Sequence, residues 1–251
     1  QPTWGAHLAD ELLALIAAHG AETIAAVIVE PMSGSAGVIV PPVGYLERLR
    51  EITSRHDILL IFDEVITGFG RVGGATASET LKVIPDLLVC AKGLTNGAVP
   101  MGAVGVRGEV YDAVVNQAAA PGIEFFHGYT YSGHPLAAAA GLATLDVYES
   151  EGLFQRATDM APYWEDAVHG LKGLPNVIDI RNLGMVAAIE LAPRPDAPGV
   201  RATEVFHRAF DEGALIRVTG DVIALSPPLI ISREQIDELV GRLSDILRNT
   251  P

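Results

Sequence analysis

The sequence holds a single cysteine, Cys90, in 251 residues. One thiol cannot form an internal disulfide, so a cross-linked secreted scaffold is excluded. Cys90 stands in an apolar run and reads as a small core residue. Long hydrophobic stretches are also lacking: none approaches the roughly 18 residues that a membrane span requires. Basic residues are scarce, with 17 Lys and Arg against 31 Asp and Glu, a net charge of −14 and a pI near 4.8. Such a chain repels phosphate backbones, which argues against nucleic acid as a partner. The start, Gln1-Pro2-Thr3-Trp4, has no Met, no basic patch and no apolar targeting segment. That fits a chain without a leader, or one that begins partway through a longer protein. The lone thiol and the missing export signal favour the cytoplasm.

What is present is an ordinary globular composition, 49% hydrophobic and 19% charged, enough for one large domain or two smaller ones. Leu8, Leu12, Leu13, Leu15 and Ile16 recur at helical spacing over residues 8–19, and residues 44–55 repeat the pattern. Between and after these helices come continuous apolar runs over 25–29, 58–62 and 87–91. Uninterrupted runs separated by amphipathic helices predict parallel strands buried on both faces, hence an α/β architecture. A fourth run, 103–106, follows the third across Gly93, Gly97, Pro100 and Gly102. So tight a connection predicts an antiparallel strand, because a parallel crossover needs a dozen or more residues. Beyond it the pattern turns to α+β. Helices are expected over 135–150 and 152–172, and strands near 177–180 and 185–189. A proline-rich loop over 192–199 leads to a helix, two short strands and a last helix over about 233–248. The change places a domain boundary near residue 150.

Two polar residues stand where apolar runs stop, Asp63 after Ile61-Phe62 and Lys92 after Cys90-Ala91. Open α/β sheets bind ligands at the carboxyl ends of their strands, so both are candidates to face one pocket. Position alone leaves bland alternatives open. An Asp after a strand is commonly a cap or turn former, and a Lys there is commonly a solvated side chain.

The neighbouring residues change that reading. Ile61-Phe62-Asp63-Glu64-Val65-Ile66-Thr67-Gly68-Phe69-Gly70-Arg71, then Ala91-Lys92-Gly93-Leu94-Thr95-Asn96-Gly97, then Pro100-Met101-Gly102-Ala103-Val104 are similar, in order and spacing, to the signature of class III aminotransferases. The resemblance runs the length of the chain. It implies a fold type I transferase dependent on pyridoxal 5'-phosphate, with residues 1–150 as the later part of the cofactor-binding large domain and 151–251 as a small C-terminal domain. In that family Lys92 would bond the cofactor aldehyde and then move a proton between substrate and cofactor. Its amine must be neutral to do so, which a buried, cationic neighbourhood favours. Asp63 would pair with the ring nitrogen and keep it protonated, while Val65 would pack on the ring face, a role compatible with plain core packing.

Gly128-Tyr129-Thr130-Tyr131-Ser132-Gly133-His134-Pro135 reads by itself as a turn before a helix, with Pro135 near its first position. The resemblance makes it the loop in which Thr130 binds the cofactor phosphate of a partner subunit, and so implies a homodimer or a dimer of dimers. Arg217, flanked by Ile216 and Val218, reads as an edge-strand residue; the family has an Arg here that binds the substrate carboxylate through paired hydrogen bonds. Val29-Glu30-Pro31-Met32 also matches, without an assigned chemical step for Glu30. In Gly34-Ser35-Ala36-Gly37 the sequence departs from members acting on ornithine and 4-aminobutyrate, which carry a second Glu where Ser35 stands. Phe126–Ser132, Asn176–Asn182 and Trp4–Leu12 look most like aminotransferases that move an amino group from β-alanine or another ω-amino acid to pyruvate, a substrate expectation resting on analogy.

The family's chains are considerably longer. Their N-terminal part supplies a Gly/Ser loop for the phosphate and an aromatic for the ring, and neither precedes Trp4. Two other readings stay open at this point, an aminomutase of the same fold and a non-catalytic fragment that needs the missing N-terminal part. No metal site is expected.

Overall fold

The computed structural model describes residues 1–117, 122–123 and 125–250. The four apolar runs form strands β1 (Ala26–Val29), β2 (Leu59–Asp63), β3 (Leu87–Cys90) and β4 (Ala103–Val106). They make one sheet in the order β1-β2-β3-β4. The first three are parallel, and β4 returns antiparallel to β3 with Cys90 opposite Ala103, as the short Gly- and Pro-containing connection predicts.

Helices α1 (Glu11–His19) and α2 (Tyr45–Arg55) cover one face of this sheet. Leu12, Ile16, Leu46, Leu49 and Ile52 pack there with Ile58, Leu60 and Phe62. The expected first helix is in fact split, because Ala6–Asp10 is a 3-10 turn leading into α1; such turns commonly open helices. Asp86 ties the starts of β2 and β3 together. Its carboxylate accepts the N–H of Leu60 at 2.7 Å and faces Arg50 at 2.8 Å and Arg107 at 3.0 Å.

Side chains alternate across a strand, so Ile28, Ile61, Asp63, Leu87, Val89, Val104 and Val106 share the opposite face of the sheet. The apolar runs predict burial on both faces, and here the structure differs. Ile28 is 62% exposed, Val104 55% and Val106 44%. The described residues cover the α1–α2 face over β1 to β3, leave β4 exposed along its length, and cover the opposite face only in part.

Two short helices not anticipated from the sequence follow the β2 and β4 ends, α3 (Ala77–Leu81) and α4 (Gly108–Asn116). Then come α5 (Pro135–Ser150) and α6 (Leu153–His169). The second sheet is antiparallel, in the order β5-β6-β8-β7. It is built from β5 (Val177–Leu183), β6 (Val186–Leu191), β7 (Arg217–Thr219) and β8 (Val222–Leu225). β5 runs past the expected apolar stretch because Arg181 and Asn182 stay paired with Ala188 and Ala187. Together with α7 (Val200–Asp211) and α8 (Arg233–Arg248), α6 packs on this sheet around Trp164, Ile189, Val205, Ile223 and Ile246. A capping box of Ser232 and Gln235 starts α8.

Three contacts lock the sheets together. Met32, Val38 and Val40 pack against Val186 and Ala188. Arg181 of β5 donates to the carbonyls of Gly37 (2.8 Å) and Val38 (3.2 Å). Arg71 donates to the carbonyls of Met185 (3.3 Å) and Pro227 (2.6 Å), while the Met185 N–H returns a bond to the Arg71 carbonyl at 3.0 Å. Gly184 permits this approach: its φ is +56°, and a Cβ there would lie 2.5 Å from Val72 Cα.

Candidate active site

β2 ends on Asp63. One carboxylate oxygen, Oδ1, accepts the N–H of Val65 at 3.1 Å. The other accepts no hydrogen bond from the described residues. The chain then turns sharply, and Glu64 points the opposite way into the protein. Glu64 is fully buried and accepts from the backbone of Ala77 (2.5 Å) and Ser78 (2.8 Å) and from the Thr67 hydroxyl (3.2 Å). Burial pushes its pKa up, and these three donors oppose the shift. Glu64 is therefore an internal strut that fixes the turn after Asp63. Val65 is half-buried beside it.

On the adjacent strand, β3 ends at Cys90 and Lys92 opens a 3-10 turn, Lys92–Thr95. Asp63 is opposite Val89 in the ladder, so Lys92 follows from the same end of the sheet. Lys92 is exposed and its amine has no ion pair or hydrogen bond among the described residues. The buried, cationic neighbourhood expected for it is thus not supplied by these residues. Lys92 takes a left-handed backbone, φ +46°, which is uncommon outside glycine. Cys90, expected in the core, is only half-buried, and burial nonetheless pushes its thiol pKa up.

The segment after Asp63 and the Lys92 turn are packed together. Gly93 leaves no room for a side chain, since a Cβ there would lie 2.8 Å from Phe69 Cβ. Phe69 stacks on Tyr148 of α5 with ring centroids 5.9 Å apart and 17° between planes. The Tyr148 hydroxyl donates to the Gly93 carbonyl at 2.8 Å. Arg71 lies under this cluster, and its burial lowers the guanidinium pKa. The sequence motif contains Glu64, Phe69 and Arg71 but does not say what they do. Tyr148 is marked in the sequence only as a polar-tipped aromatic in an Ala-rich helix.

Thr130 and Arg217 stand apart from this pair. Thr130 is exposed in the segment before α5, near the exposed rings of Tyr129 and Tyr131, and makes no hydrogen bond with Lys92 or Asp63. Arg217 opens β7 at the edge of the second sheet, exposed and opposite Ala224. Two residues on, the Thr219 hydroxyl donates to the Ser35 carbonyl at 3.3 Å, which joins the Arg217 strand to the loop where the sequence departs from the ornithine pattern. Glu30 accepts the Gly34 N–H at 3.1 Å, a structural bond within that loop. No group of three or more His, Cys, Asp or Glu side chains among the described residues is placed to hold a metal ion. No helix among them is long and apolar enough to cross a membrane.

A mostly parallel sheet with one antiparallel edge strand, followed by an antiparallel α+β unit, is consistent with the fold type I transferases. Residues 2–247 match the family model for aminotransferase class-III, and the chain belongs to that family, whose members work with pyridoxal 5'-phosphate. The chain is 62% identical to an omega-aminotransferase of Caulobacter vibrioides over 98% of its own length and 56% of the relative's. It is 52% identical to a beta-alanine–pyruvate aminotransferase of Pseudomonas aeruginosa, over 98% of this chain and 55% of that one. Among solved structures, a thermostable omega transaminase variant from Pseudomonas jessenii superposes with a TM-score of 0.93 at 37% identity, covering 98% of this chain and 55% of that one. The chain thus spans about half the length of the curated relatives it matches.

Proposed function

We propose that this chain carries the cofactor-bonding half of an aminotransferase active site. One observation supports the reading most. Lys92 and Asp63 leave the same end of neighbouring parallel strands, and among the described residues the Lys92 amine and one Asp63 carboxylate oxygen have no partner. That donor set fits pyridoxal 5'-phosphate, which when bound supplies an aldehyde for an amine and a ring able to take up electrons.

The roles of the chain's own residues are those the family resemblance implies, and the chemistry of each side chain is compatible with them. Lys92 would hold the cofactor through its amine and would carry the proton that leaves the substrate carbon. Asp63, braced by the Val65 N–H, keeps a proton on the ring nitrogen. Val65 packs on the ring face. Thr130 holds the cofactor phosphate of a partner subunit, which makes the working form a homodimer or a dimer of dimers. Arg217 grips the substrate carboxylate. In this reading residues 1–150 are the later part of the large domain and 151–251 the small domain.

The two most similar of the relatives described above are named for ω-amino and β-alanine–pyruvate transfer. With Ser35 in place of a second Glu, this favours transfer from a β-alanine-like ω-amino acid or an amine to pyruvate, in the cytoplasm. The test is the visible spectrum of the full-length protein with added pyridoxal phosphate. A band that borohydride bleaches, and that β-alanine followed by pyruvate removes and restores, supports the proposal. A spectrum equal to that of free cofactor refutes it.

A further inference from the structure

The proposed function gives Tyr148 no role, yet its setting is costly to explain as plain packing. The residue is only 8% exposed, and its hydroxyl donates to the carbonyl of Gly93, the residue after Lys92, at 2.8 Å. That carbonyl also accepts the Asn96 N–H at 3.2 Å, closing the turn. One side of the Tyr148 ring lies along Phe69, at the far end of the segment that begins at Asp63; Phe154 of α6 packs against the ring at 5.0 Å. On the same face of α5, Gly141 approaches the Leu94 carbonyl, to which an added Cβ would be 3.7 Å away. Helix α5 is therefore docked on the turn that Lys92 opens. Lys92 itself has φ +46°, and a non-glycine residue keeps such a conformation only where its surroundings over-determine it.

We propose that Tyr148 is a positioning residue for Lys92: its hydroxyl fixes the Gly93 carbonyl and so the left-handed backbone from which the Lys92 amine projects. The proposal rests on the reading that Lys92 bonds the cofactor. An amine must approach an aldehyde along a narrow range of directions, so small rotations of this turn cost reactivity. Removing the hydroxyl leaves the ring packing intact and the Gly93 carbonyl with Asn96 alone.

The test compares Tyr148→Phe and Phe154→Leu with the parent in the full-length enzyme. Three quantities are read: the rate at which added pyridoxal phosphate becomes borohydride-fixed on Lys92, the pH midpoint of the bound cofactor's absorbance, and the melting temperature. Tyr148→Phe should slow fixation about tenfold, because the turn that aims the amine is less firmly held, and move the midpoint, while lowering the melting temperature only by the small amount that one lost hydrogen bond contributes. Phe154→Leu should lower the melting temperature and leave fixation rate and midpoint alone. Fixation and midpoint equal to the parent's in Tyr148→Phe overturn the proposal, as does a Phe154→Leu variant that reproduces both changes. A parent enzyme that fixes no cofactor on Lys92 overturns the reading of Lys92 and this proposal with it.

Discussion

Asp63 lies directly opposite Val89 in the β2–β3 ladder, with the Glu64 N–H donating to the Val89 carbonyl at 2.8 Å. The end of one strand is thereby registered against the end of the next, three residues before Lys92. The buried Glu64 then holds the turn from inside, so the backbone that carries Asp63 is fixed by the strand pairing on one side and by Glu64 on the other.

Replacing Asp63 with Asn keeps that frame and removes only the charge. The variant should fold normally. Proton abstraction should slow about a hundred- to a thousandfold, the size of one preorganised electrostatic contact. Single-turnover rates with β-alanine measure it, and a rate near the parent's would remove Asp63 from the mechanism.

Arg217→Ala should discriminate between substrates. A charge-assisted contact to a carboxylate contributes about 1.5–3 kcal/mol, so kcat/KM for β-alanine should fall about ten- to a hundredfold while a simple amine is hardly affected. Equal losses for both would make Arg217 structural, an edge residue of β7 opposite Ala224.

Much of this was legible in the sequence, for physical reasons that can be named. Continuous apolar runs mark β1 to β3, and the short Gly- and Pro-containing connection gives the direction of β4. Strand-end position makes Asp63 and Lys92 candidates only, and the family resemblance supplies the roles proposed for them. The burial of these strands was not legible, because an apolar run asks for cover on both faces without saying which residues provide it; Val104 and Val106 stay exposed. Nor could spacing find the link from Tyr148 to Gly93, or from Arg71 to Met185 and Pro227, which joins positions far apart in the chain. The five-residue α3 is set by the Thr76 cap and the Glu64 carboxylate, not by hydrophobic period.

Asp86 should make stability pH-dependent. Burial alone would raise its pKa, but the Leu60 N–H, Arg50 and Arg107 together hold it below the usual carboxylate value. A depressed folded-state pKa contributes stability that is fully present above the unfolded value of about 3.9. That contribution is lost as pH falls through the lower folded value. Asp86→Asn should cost about 1–3 kcal/mol at neutral pH and flatten the acid limb of the denaturation curve. An unchanged acid limb would show that the carboxylate does not act this way.

The exposed apolar face around Asp63 predicts the behaviour of residues 1–251 expressed alone. Ile28, Val104 and Val106 form an uncovered surface, and such surfaces drive association between chains. Light scattering should show concentration-dependent self-association that Val106→Asp reduces. A monodisperse monomer that binds pyridoxal phosphate would contradict this.

The most direct test of the account is to reduce the full-length protein with borohydride in the presence of pyridoxal phosphate and map the modified peptide by mass. The account predicts one cofactor mass on Lys92, in the peptide containing Ala91-Lys92-Gly93-Leu94. It also predicts loss of the label, and of nearly all turnover, in Lys92→Ala. A label on another lysine, or turnover surviving in that variant, would contradict it.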